Sequence, residues 1–138
     1  MPMSTSDPVL GYVAFCAVKM AGYSIAAHQF NNLYEKKETS PFLIGAVRTL
    51  IGMAVGATYF FTWNTLHAGS ISHPLYYYSG LVPLRFIEWW ALVWLFYDRP
   101  LKQRGKGWGM ATAGTLWSFL LDVPALLGFI VTGGMSVC

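Results

Sequence analysis

Gly80–Pro100, GLVPLRFIEWWALVWLFYDRP, is apolar and aromatic enough to lie in a bilayer, yet Arg85 and Glu88 fall inside it. Three positions apart, they share one face of a helix. An ionisable side chain at membrane depth costs at least about 2.5–3.5 kcal/mol even on lenient insertion scales, so it must face protein or water and find a partner. The rest of the chain is therefore read for partners and for further spans.

The composition supports a membrane class. Only 11% of the 138 residues are charged and 55% are hydrophobic, with a mean hydropathy of +0.46. A soluble domain carries about a quarter charged residues. At roughly 20 residues per crossing, the length suits four spans and one domain with little outside the membrane. The apolar runs place these spans at about 8–30, 41–63, 75–97 and 107–132. The expected fold is all-α, an integral membrane four-helix bundle. The start, MPMSTSDP, has no basic region and no small-residue cleavage site, so the first run reads as a retained span. Cys16 lies in an apolar run and Cys138 is the last residue, which leaves no disulfide framework.

Each span carries a pattern. In the first, Tyr12, Cys16, Lys19 and Tyr23 recur at helical spacing, and His28 sits near the far end. Ser40-Pro41 opens the second as N-cap and first-turn proline. Its Gly45, Gly52 and Gly56 include a GxxxG, the small-residue pattern that admits close helix packing in lipid. Tyr76, Tyr77 and Tyr78 begin the third as an interfacial aromatic belt, and Trp89, Trp90 and Trp94 surround its charged pair. The fourth bears a small and polar stripe, Ala111, Thr115, Ser118 and Asp122, followed by Pro124, which removes a backbone hydrogen bond. His67 and His73 in the second loop lack a third ligand beside them, so no metal site is read there.

Six cations lie in loops, Lys36, Lys37, Arg99, Lys102, Arg104 and Lys106, and all fall in the first and third. By the positive-inside rule those loops are cytoplasmic and both termini face the non-cytoplasmic side. A net charge of +3 thus marks orientation, not nucleic acid. In a bacterium the location would be the inner membrane.

With this orientation and about 1.5 Å of rise per residue, Lys19, Arg85, Glu88 and Asp122 share one layer roughly 13–18 Å from the outer ends of their spans. Gly52, Gly56 and Thr58 lie near it on the second helix. Arg48 lies closer to the cytoplasmic side, as a spare cation that snorkels. Two readings follow. In the first, Lys19–Asp122 and Arg85–Glu88 are neutralised pairs that fix assembly. In the second, the layer lines a cavity, with Tyr23 and Trp89 beside the five ionisable groups, for binding or translocation of a small or lipid-like ligand. Four ionic groups are a costly way to assemble four helices, which favours the second, and the spare Arg48 favours an anionic guest.

Three function classes remain open: a binding or translocating protein acting as a homo-oligomer, an integral subunit pairing with other membrane proteins, and a membrane enzyme on a lipid-like substrate. In the enzyme, Glu88 or Asp122 would serve as general acid or base. A redox cysteine pair, a phosphate loop and a mid-span histidine pair for haem are all missing, so no cofactor is assigned.

Overall fold

The computed structural model describes residues 8–35, 38–66 and 74–132. These form α1 (Pro8–Leu33), α2 (Pro41–Leu66), α3 (Pro74–Leu92) continued by a π-turn (Val93–Tyr97), and α4 (Arg104–Thr132), and no strand occurs among them. Each helix covers one expected span. Among the described residues, two segments, Pro41–Leu66 and Tyr76–Tyr97, are long and apolar enough to cross a membrane.

The helix ends follow local chemistry. α2 starts where Ser40 C=O accepts the first helical bond, from Ile44 N at 3.2 Å, with Pro41 in the first turn, where its missing N–H is harmless. α1 stops where Glu35 turns left-handed (φ 55°), a conformation that ends helices. Its last turn is tied down by Asn31, whose amide donates to Thr39 C=O at 2.6 Å. Asp98 organises the third connection: its Oδ2 accepts from Gln103 N at 2.8 Å, just ahead of α4. α3 and α4 run through Pro83 and Pro124 without a break in helix.

Cross-helix contacts establish an antiparallel order. Ser24 and Met20 of α1 meet Gly45 of α2, whereas Asn31 meets Thr39, so rising numbers in one pair with falling numbers in the other. The same reversal links α2 with α3 (Arg48 to Glu88, Tyr59 to Tyr77) and α3 with α4 (Arg85 to Asp122, Trp89 to Ser118). α4 closes the ring on α1, with Lys106 Nζ donating to Leu33 C=O and Trp117 Nε1 to Gly22 C=O. The closest packing is within two hairpins, α1–α2 and α3–α4, and the hairpins meet each other less extensively.

The core fills one half of this ring, toward the end that carries the first and third connections. Trp89 is its centre, edge-on to Tyr23 at 5.8 Å and Phe30 at 5.5 Å between ring centroids. Gly114 of α4 lies flat beneath the indole, where any Cβ would run into the ring. The π-turn swings Tyr97 into the same core, and its hydroxyl donates to Ala27 C=O at 3.2 Å. The other half is held by a looser aromatic set of Tyr59, Trp63 and Tyr77.

Polarity is distributed inside out. Lys19, Arg48, Arg85, Glu88 and Asp122 are all buried, while large apolar side chains face outward on every helix, Val13, Leu50, Phe61, Ile87 and Leu116 among them.

Candidate functional site: a buried ion-pair cluster beside a small cleft

Five ionisable side chains from four helices converge between the packed and the looser half. Asp122 of α4 holds two cations. Arg85 Nη2 donates to its Oδ2 at 2.6 Å, and Lys19 Nζ lies 2.7 Å from Oδ1 in a close ion pair off the hydrogen-bond line. Glu88 of α3 instead meets Arg48 of α2, Nη2 to Oε2 at 2.6 Å.

This partnering corrects two expectations. Arg85 and Glu88 are not a pair; each reaches a different neighbouring helix. Arg48 does not snorkel to an end. It is 0% exposed, and its guanidinium lies over Tyr23 at 5.0 Å and Trp89 at 5.3 Å from the ring centroids. Aromatic faces attract a desolvated cation. They supply no acceptor, and Arg48 Nε, Nη1 and Nη2 make no hydrogen bond, the contact to Glu88 being an ion pair off the hydrogen-bond line.

The pairs also join the hairpins. Lys19 and Arg48 come from α1–α2, and Arg85, Glu88 and Asp122 from α3–α4, so each carboxylate reaches a cation of the opposite hairpin. Among the described residues the cluster holds three cations and two carboxylates, leaving one formal positive charge. Burying unbalanced charge is expensive unless something compensates it.

The cluster borders a cleft of about 30 Å³ between α1, α2 and α3. That is room for about two water molecules. Lys19, Tyr23, Thr49, Arg85 and Glu88 form its polar end, and Val55, Leu81, Leu84 and Tyr77 its apolar end, with Gly52 and Gly56 along α2. The two glycines therefore line the cleft. A Cβ on Gly52 would meet only Arg48 within 4 Å, 2.9 Å from Nη1, and the close approach of α1 to α2 falls on Gly45 instead. Thr58 does not join the layer. It is exposed and donates to Ala54 C=O within its own helix.

The aromatic candidates separate. Tyr23 lines the cleft, whereas Trp89 stands behind the cluster with its Nε1 donating to Ser118 Oγ at 2.8 Å. Trp90 packs with Phe86 and Trp108, and Trp94 is exposed; none of these tryptophans walls the cleft. The α4 stripe is buried throughout at Ala111, Thr115, Ser118 and Asp122. Tyr76 is exposed as a belt residue would be, but Tyr77 turns in against Tyr59 and Trp63. His67, His73, Lys36 and Lys37 lie outside the described residues.

Gly114 is a position that the spacing did not single out, whereas Gly45 belongs to the small-residue face read on the second span. Gly114 sits within the small stripe of α4, where it widens the face that receives Trp89.

The site thus defines an antiparallel four-helix chain with a buried, charge-unbalanced cluster at the junction of its hairpins. The chain matches no protein family, no curated protein and no solved structure with which it was compared.

Proposed function

We propose that this is a multi-pass membrane protein that binds or translocates a small or lipid-like, anionic ligand in the cleft beside the ion-pair cluster. The observation that carries the reading is the surplus positive charge at the wall of a cavity. Arg85 lines the cleft and is 6% exposed, and its Nε has no hydrogen-bond partner. An anionic group entering there compensates the charge.

Support for the membrane comes from the inside-out polarity. Leu50 is 66% and Phe61 68% exposed on one face of α2, and Leu116 is 67% exposed on α4, across the ring. A soluble monomer seldom exposes contiguous apolar surface beyond a few hundred Å², whereas lipid favours an apolar exterior around buried charge. In this reading α1 and α4 cross together with α2 and α3, because their polar residues are spent on the interior. The first and third connections, with Arg99 and Lys102 exposed on the latter, face the cytoplasm. Homo-oligomerisation through the outward apolar faces would complete the enclosure.

The test is extraction of the protein from membranes at alkaline pH, followed by native mass spectrometry in mild detergent. Retention in the membrane pellet and a co-purifying anionic species support the reading. Release into the alkaline supernatant, or a protein that is empty and binds no anion, overturns it.

A further inference from the structure

Two cations of the cluster border the cleft, and the carboxylate that they share does not. Lys19 and Arg85 are lining residues, whereas Asp122, which holds both, lies outside the lining. Glu88 also lines the cleft, but Arg48 meets it at 2.6 Å and offsets its charge. The surplus of one formal positive charge among the described residues therefore falls at the polar end of the cleft, on Lys19 and Arg85 together.

A second observation points to the same place. Tyr23 is 2% exposed and lines the cleft, and its hydroxyl makes no hydrogen bond among the described residues. Its ring is held edge-on to Trp89 and beneath the Arg48 guanidinium, which leaves the hydroxyl little freedom to turn elsewhere. Thr49, the other hydroxyl at this end, already donates to Gly45 C=O at 2.8 Å. A buried hydroxyl without a partner is costly, so the Tyr23 donor calls for an acceptor in the cleft.

Size and charge decide what that acceptor is. About 30 Å³ holds about two water molecules. A phosphate, a sulfate or a carboxylate with a carbon chain is larger than that. A halide ion is little larger than one water, and it brings the negative charge that water lacks. It also accepts hydrogen bonds from any direction, which suits donors converging from α1 and α3.

We propose that the cleft is a halide site, in which one chloride ion accepts from the Tyr23 hydroxyl and offsets the shared charge of Lys19 and Arg85. This rests on the anion-binding reading above and narrows it to one chemical class.

The experiment uses the full chain in nanodiscs of zwitterionic lipid, in sodium gluconate, sodium chloride or sodium sulfate at matched ionic strength, so that screening is constant. Chloride should raise the melting temperature over gluconate by about 3 °C or more, as a ligand of the folded state does, and sulfate should not. The broadening of the chloride NMR signal on titration gives the affinity. Tyr23→Phe removes the hydroxyl, keeps the ring contacts and should weaken chloride about tenfold, with the melting temperature in gluconate unchanged. If that variant does not fold, Arg85→Met removes the surplus charge, leaves Lys19 with Asp122 and should abolish the broadening.

Absence of saturable broadening, or wild-type chloride affinity in a folded variant, overturns the proposal. A different anion that co-purifies, is lost in Arg85→Met and is not displaced by chloride overturns the halide class and leaves an anion-binding cleft standing. A protein that binds no anion overturns both.

Discussion

Arg48 and Glu88 meet at 2.6 Å across the junction of the two hairpins, and Arg48 is wholly buried between that carboxylate and the faces of Tyr23 and Trp89. Neither residue has a second ionic partner among the described residues. Asp122, by contrast, is shared by two cations. This asymmetry makes the two halves of the cluster respond differently to substitution.

Removing Glu88 strands a desolvated guanidinium. Glu88→Leu should cost about 3–5 kcal/mol, as for other broken buried pairs. Arg48→Met with Glu88→Leu should recover most of that loss, because two apolar side chains of similar reach replace the pair. Thermal melting in detergent of the two single variants and the double variant forms the cycle. A double variant no more stable than the worse single one would mean that the pair is not an isolated unit.

The glycines of α4 offer a second contrast. Gly114 lies under the Trp89 ring, whereas a Cβ at Gly109 meets nothing within 4 Å. Gly109→Ala should be neutral or stabilising by up to about 1 kcal/mol through helix propensity. Gly114→Ala should destabilise by about 1–3 kcal/mol through overpacking, since the indole must move and lose its bond to Ser118. Equal melting temperatures for the two would remove Trp89 from the centre of the core.

Much of this arrangement was legible in the residues, for identifiable reasons. Apolar runs interrupted by Ser40-Pro41 and by DRPLKQRGK mark helix limits through local chemistry, and the 3.6-residue period put Ser118 and Asp122 on the buried face. Partner choice was not legible. Residues three apart differ by about 60° around a helix, enough for Arg85 to face α4 while Glu88 faces α2. Sequence spacing specifies a face, but which helix lies against it depends on the whole ring. Arg48 was misplaced for the same reason. Its depth follows from counting, but its burial follows from Glu88 and two aromatic rings on other helices. Small residues permit a helix contact without requiring one: Gly52 and Gly56 line the cleft, and the close approach of α1 falls on Gly45 of the same helix.

Orientation is tested by labelling in intact cells. With Cys16→Ala and Cys138→Ala as background, a cysteine at Ser79 should react with an impermeant thiol reagent and one at Gln103 should not. Ser79 is exposed near the end opposite the third connection, where Gln103 lies. The basis is the restriction of all six loop cations to two loops. Reaction at Gln103 from outside would reverse the proposed topology.

The last prediction concerns which charge is dispensable for folding. If the cluster is balanced within itself, every ionic residue is needed, and loss of Arg85 should be as harmful as loss of Glu88. If it carries one positive charge in excess, either cation on Asp122 can go and leave two complete pairs; removal of Arg85 leaves Lys19 with Asp122 and Arg48 with Glu88. Arg85→Met then forfeits one hydrogen bond to Asp122 Oδ2, about 1–3 kcal/mol. Glu88→Leu is worse, and Asp122→Leu is worst, because it strands Lys19 and Arg85 together. The expected order of melting temperatures is wild type, Arg85→Met, Glu88→Leu, Asp122→Leu. The Arg85→Met protein should also lose its anionic ligand while remaining folded, since the charge that the ligand compensates is gone. A folded Arg85→Met protein that keeps the ligand would place recognition elsewhere, and one as unstable as Asp122→Leu would show that Lys19 does not hold Asp122 alone.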